Sequence, residues 1–186
     1  MNISATELEG VLIIQAKKFS DERGFFSEVY REDSLRLEGV EDNFVQTNHV
    51  YSKGKGVLRG LHFQKPPFAQ AKLVRVIRGA IYDVAVDLRL GSKSYGNWLG
   101  VELSAKNWKQ LYIPAGFAHG YVTLEEDTDV EYKVSECYHP EADSGLAWDD
   151  EDLAIDWNLG GITPVMSEKD LVNQSFSEFK SEFHYG

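Results

Sequence analysis

The chain has one cysteine, Cys137, in 186 residues. No internal disulfide can form, and no CxxC or cysteine–histidine cluster surrounds it to hold a structural metal, so a small, partly buried side chain is expected. Long apolar runs are also missing. Val11-Leu12-Ile13-Ile14 is far too short to span a bilayer, and residues 1–7 have neither the basic start nor the apolar core of a secretory leader. The expectation is a soluble cytoplasmic protein with no membrane partner. Positive charge is scarce: 19 Lys and Arg stand against 30 Asp and Glu, the net charge is −11, and no Lys/Arg run occurs. A nucleic-acid surface needs a basic stripe to displace counterions, so none is expected. A single nucleotide ligand stays open, because a few convergent Arg and Lys can build a positive pocket in an acidic protein. Repeats, low-complexity tracts and linkers are absent too. At this length that leaves one domain, residues 1–186, able to bury a core without cross-links.

What is present is a series of short apolar runs punctuated by turn signals such as Lys53-Gly54-Lys55-Gly56, Leu90-Gly91-Ser92 and Pro114-Ala115-Gly116. Strands are expected near 57–64, 72–77, 81–88, 98–103 and 130–134, in an all-β sandwich or barrel. Helices are expected only at the periphery, as a short turn at 33–37 and, from the Ser-x-x-acid form of Ser167-Glu168-Lys169-Asp170, a second from 167 to about 179.

Alternation places several side chains. Val130, Tyr132 and Val134 share one face, with Asp129, Glu131 and Lys133 on the other. Tyr132 therefore points inward, either as a plain core aromatic or as a working hydroxyl. Lys72 shares a face with Val74 and Val76, either reaching to water from the rim or held as a buried charge. Asp83, Asp87 and Arg89 share a face that is either solvated or internally paired, with Asp83 placed to orient His119. Arg59 and His62, three apart, would point oppositely on a regular strand. Gly60 between them suggests a bulge that brings both into one cavity; without it His62 alone faces in. An imidazole, a guanidinium and an ammonium gathered there could hold an anion and move a proton.

The stretch Gly56-Val57-Leu58-Arg59-Gly60-Leu61-His62-Phe63-Gln64, with Pro66, Gln70 and Lys72, resembles the signature of the dTDP-4-dehydrorhamnose 3,5-epimerase family. So do Asp21-Glu22-Arg23-Gly24-Phe25-Phe26 with Glu28, Gln46-Thr47-Asn48, Asp83 to Arg89, Ile113 to Gly120, Tyr132-Lys133, Tyr138, Trp148-Asp149-Asp150 and Ser167 to Asp170, all in the family's order. The resemblance implies a cupin-type jelly roll and a homodimer that exchanges N-terminal strands. It also implies a dTDP-linked 4-keto-6-deoxyhexose as substrate. Tyr132 stands where the family has its general acid, and Asp170 where an aspartate pairs with the base, His62; from sequence alone Asp170 fits a helix cap equally well. Lys72 would stabilise the enolate. Arg23 and Arg59 suit a diphosphate, Glu28, Gln46, Asn48 and His119 match polar contacts to nucleotide or sugar, and Tyr138 matches an aromatic that stacks on thymine. Lys169 and Asp143 sit near further binding positions, Asp143 being shorter than the glutamate many members carry.

Cupin jelly rolls often bind metal through His-x-His and a nearby Glu. Here Phe63 and Gln64 follow His62, so no metal and no cofactor are expected, although His49, His62 and His119 could converge in space. His139 and His184 read as surface residues. Proton abstraction beside a ketone is the expected chemistry, at both C3 and C5 of the hexose. A single-centre epimerase, a non-catalytic sugar-nucleotide module and a metal-dependent oxygenase are the rivals.

Overall fold

The computed structural model describes residues 1–186. In chain order its strands are β1 (Asn2–Ala5), β2 (Leu12–Gln15), β3 (Lys18–Asp21), β4 (Gly24–Ser27), β5 (Gln46–Ser52), β6 (Leu58–Gln64) and β7 (Lys72–Arg78). They continue as β8 (Ala80–Asp87), β9 (Trp98–Ser104), β10 (Lys109–Ile113), β11 (Phe117–Thr123), β12 (Thr128–Val134) and β13 (Asp143–Gly145); the one α-helix is α1 (Glu32–Arg36). One sheet runs β1-β2-β10-β7-β12-β5 and the other β13-β6-β11-β8-β9, while β3 and β4 pair only with each other. The ladders are antiparallel throughout. This is the expected all-β jelly-roll sandwich.

Two apolar layers hold the second sheet. Between the sheets, Val74, Val76 and Val130 meet Ile81, Ala85, Leu103, Phe117 and Tyr121. On the outer face, Val84, Val86, Ala118 and Val122 are covered by Trp157, Phe179 and Phe183 from the C-terminal segment. Burial of such side chains contributes roughly 1.5–3 kcal/mol each. Being covered on both faces, β11 is buried at every position. On β5 one face alone is covered, so burial alternates and Gln46, Asn48, Val50 and Ser52 turn inward.

Two expectations fail. The helix from 167 to 179 is only a single 3₁₀ turn, Asp170–Val172, with Asn173 already extended. Ser167 Oγ accepts from the Asp170 amide at 3.3 Å, as a capping box begins, but the Asp170 carboxylate turns to His62 instead of back to the turn. Beyond it, Gln174 bridges to Leu146 and the Phe176 amide donates to Asp150, contacts that hold the chain against the sheet and leave no room for helical winding. Cys137 is exposed, not partly buried, because it follows β12 in a loop whose carbonyl is held by Gln64 at 3.0 Å.

Candidate active site

At one end of the sandwich the interlayer space turns polar and opens as a cavity of about 300 Å³, within the range of small-ligand sites. His62 and Arg59 enter it from β6. The register explains how: His62 lies opposite His119 and Arg59 opposite Tyr121, so three steps on β6 match two on β11. The extra residue is the bulge expected at Gly60, which shifts the side-chain phase and turns both residues into the cavity. Gly60 has φ +123, and a Cβ there would stand 2.5 Å from Gly120 Cα and 2.8 Å from the His119 carbonyl oxygen. Only glycine fits.

His62 Nε2 lies 2.6 Å from Asp170 Oδ1. The imidazole is about one-third exposed, at 32%, whereas the carboxylate is buried. Burial pulls the imidazole pKa below its ordinary value; Asp170 opposes this and Lys72 adds to it. At neutral pH the ring is therefore neutral. With Nε2–H donating to Asp170, Nδ1 keeps its lone pair and is the basic atom. Lys72 is buried on the face expected for it, its Nζ donating to the His62 carbonyl at 3.2 Å. Burial lowers its pKa to about 8, with Asp83 and Asp143 drawing it back up. It remains mostly charged at pH 7.

Tyr132 enters from β12, on the sheet facing His62, beside Asn48 across the β5 ladder. Burial raises its pKa, partly offset by Asn48 and Arg59, so the hydroxyl keeps its proton. His119 Nε2 lies 2.7 Å from Asp83 Oδ1, both groups being buried. The second carboxylate oxygen, Oδ2, has no partner in the chain. Asp87, also expected on that face, is paired with Arg89 at 2.8 Å and lies away from the cavity lining.

At the mouth, Tyr138 donates to Asp143 at 3.0 Å and Lys169 pairs with the same carboxylate. Asp143 raises the pKa of both. Gln46 completes the set brought together. Arg23 and Glu28 are not: Arg23 sits in the turn of the outer β3–β4 hairpin, 90% exposed and paired with Asp21 at 2.6 Å, and Glu28 follows β4, 4.0 Å from Arg31. Because β3 and β4 pair only with each other, they carry these residues clear of their own chain's cavity. The three histidines do not converge. His49 bonds Asp129 at 2.9 Å on the exposed face of β5, and no group of three His, Cys, Asp or Glu side chains is placed to share a metal ion. His139 stacks on Phe68 and His184 is exposed.

Sequence reasoning missed Tyr121 and Ser167, which also line the cavity. Tyr121 lies two residues beyond His119 on the same face, a relation that alternation would have shown had β11 not been buried on both sides.

The family model described as dTDP-4-dehydrorhamnose 3,5-epimerase matches residues 5–178. A Sinorhizobium fredii dTDP-4-dehydrorhamnose 3,5-epimerase is 48% identical over 185 residues, 100% of this chain and 94% of that protein. The Bacillus anthracis enzyme of the same name, crystallised with TDP and PPi, superposes with a TM-score of 0.90 at 45% identity, over 94% of this chain and 99% of its own. The Legionella pneumophila dTDP-6-deoxy-D-glucose-3,5-epimerase in complex with dTDP-4-keto-L-rhamnose gives 0.94 at 42% identity, over 100% and 98%. With this fold, this cavity and likeness along the whole chain, the protein belongs to the dTDP-4-dehydrorhamnose 3,5-epimerase family, isomerases of dTDP-L-rhamnose biosynthesis.

Proposed function

We propose that the chain converts dTDP-4-keto-6-deoxy-D-glucose to dTDP-4-keto-L-rhamnose by proton transfer alone, with His62 as base and Tyr132 as acid. The observation that carries this assignment is their placement: His62 stands on one sheet and Tyr132 on the facing sheet of the same cavity. A sugar ring between the sheets would present opposite faces to them, as inversion at carbon requires. His62 Nδ1 takes the proton from the carbon beside the C4 ketone, and the C–H electrons move onto the ketone oxygen. The Lys72 ammonium stabilises that oxyanion in a site where burial strengthens the attraction. Tyr132 then delivers its proton to the other face. C3 and C5 both flank C4, so one site serves both centres if the ring shifts between abstractions.

Asp170 orients His62 and favours the imidazolium formed after abstraction. Arg59 is assigned to the diphosphate, Tyr138 to the base, and Gln46, Asn48, His119, Asp143 and Lys169 to sugar and nucleotide. Arg23 and Glu28 act only if a second chain docks, which supports a homodimer whose β3–β4 hairpin reaches the neighbouring cavity. Phe19, Phe25 and Phe26 on that hairpin are exposed in the single chain, an apolar surface suited to such docking. A cytoplasmic location belongs to the same proposal; no helix is long and apolar enough to cross a membrane.

The decisive experiment is turnover of dTDP-4-keto-6-deoxyglucose in deuterated water followed by NMR. Deuterium and inverted configuration at both C3 and C5 are expected; label at one centre only would make the chain a single-centre epimerase. Mixing inactive Arg23→Ala and His62→Ala subunits should restore part of the activity if the hairpin acts in trans. A monomeric mass in solution would overturn the dimer.

A further inference from the structure

Four buried side-chain polar atoms in the chain lack a hydrogen-bond partner, and three of them, Tyr121 Oη in the cavity wall and Ser52 Oγ and Asp83 Oδ2 behind it, belong to inward-facing residues. Tyr121 lies opposite Asp83 on the β11–β8 ladder. Ser52 faces it from β5; the contact would ease ionisation of the phenol, but the two hydroxyls stand outside hydrogen-bonding geometry. The Tyr121 ring needs no hydroxyl to pack, being one of the apolar interlayer side chains. A buried hydroxyl without a partner is costly, and such groups concentrate where a site uses them.

We propose that Tyr121 is a positioning residue for the epimerisation: its hydroxyl, unpaired in the resting site, donates a hydrogen bond to the Tyr132 oxygen once Tyr132 has given up its proton. The inference rests on the role of Tyr132 as the acid. When Tyr132 reprotonates carbon, its O–H bond breaks, the enolate electrons form the new C–H bond, and the phenolic oxygen is left negative. Nothing further is transferred; Tyr121 keeps its own proton and only donates. Groups around the pair are suited to that division. Arg59 from β6 favours the ionised form of either phenol. Asp83 from β8 opposes ionisation of Tyr121, whose pKa is pushed up to about 12, chiefly by burial, so it is a donor throughout the working pH range. Asn48 beside Tyr132 and Ser52 facing Tyr121, both on β5, are uncharged; His119 shares β11 with Tyr121, and Lys72 on β7 lies under the influence of Asp83.

The test is Tyr121→Phe, which keeps the ring and removes the hydroxyl, assayed in deuterated water with inversion and solvent exchange measured separately. Inversion should slow about tenfold, while exchange with retained configuration continues at the wild-type rate, because abstraction by His62 is untouched. KM should be unchanged and the melting temperature no lower, since an unpaired buried hydroxyl has been removed. In a Tyr132→Phe background the same substitution should have no further effect on inversion. Equal loss of inversion and exchange, an unchanged inversion rate, or a lowered melting temperature would each overturn the proposal. If Tyr132→Phe loses inversion and Tyr121→Phe does not, only the role of Tyr121 fails; if Tyr132→Phe inverts normally, the acid itself is misassigned.

Discussion

Two histidine–aspartate pairs stand side by side in this cavity, and they are built differently. His62 and His119 face each other across the β6–β11 ladder, and each ring meets its carboxylate through Nε2, at 2.6 and 2.7 Å. His119 and Asp83 come from adjacent strands and are sealed, at 8% and 0% side-chain exposure. His62 keeps 32% exposure, and its carboxylate arrives from 108 residues further along, on a 3₁₀ turn at the cavity edge. A sealed pair can orient and bind; an open imidazole backed by a buried carboxylate can exchange protons with a substrate. Near-identical contacts thus differ in access, and that difference is the basis of the roles proposed for them.

Removing each ring should have the largest effect. His62→Ala should abolish turnover and solvent exchange together, by on the order of 10²-fold or more. His119→Ala should instead raise KM and leave exchange measurable at saturating substrate. Equal loss of exchange in both variants would erase the distinction.

Lys72 stands between the pairs, bonded to the His62 carbonyl and within the field of Asp83. If Lys72 is the proposed counter-charge of the enolate, its pKa near 8 predicts that kcat should fall as pH rises through about 8, read from a pH–rate profile. The sign for stability is opposite: a lysine whose pKa is lowered by folding penalises the folded chain below that pKa, and the penalty fades between about 8 and 10.5. Lys72→Met should therefore lose most turnover yet gain up to about 3 kcal/mol of stability at pH 7, read by chemical denaturation. A less stable variant would show that the ammonium is structural.

Asp170→Asn keeps shape but removes charge. Its effect should be smaller, about tenfold in kcat. Wild-type kcat/KM should hold through neutrality and fall only on the acid side of the ordinary histidine range, because burial holds the His62 pKa under its ordinary value. In the variant that acid limb should move lower still, since the carboxylate that raised the pKa is gone; a limb moving upward would contradict the pairing. The smallest effect is expected for Asp83→Asn, a few-fold rise in KM with exchange intact, measured by initial rates.

Where turn signals bound an apolar run the sequence is legible, and expected strands 57–64, 72–77, 81–88 and 98–103 agree with β6, β7, β8 and β9 to within a residue at each end. The inward direction of Tyr132 and the bulge at Gly60 follow from period-two logic. Strand β11 escaped because His119, Gly120 and Thr123 interrupt its apolar run while burial on both faces leaves no alternation to read instead. The expected helix at 167–179 failed for the opposite reason: a local capping signal was real but overridden by Asp150, Leu146 and His62, none nearby in sequence. His62 and Asp170 meet across the fold, and no local spacing encodes that contact; it came from resemblance.

Beneath both histidines, the backbones of β6 and β11 touch at Gly60 and Gly120. A Cβ on either would stand 2.5 to 2.8 Å from main-chain atoms of the other strand, so neither glycine can take a side chain without the strands parting. The two positions behave as a single hinge pin with no tolerance. Enlarging this enzyme's cavity for bulkier sugars by spreading β6 from β11 would loosen the spacing between His62 and His119 before it widened the mouth. New substrate range is more accessible through the loops that carry Tyr138 and Lys169, where the contacts are side chains and can be exchanged one at a time.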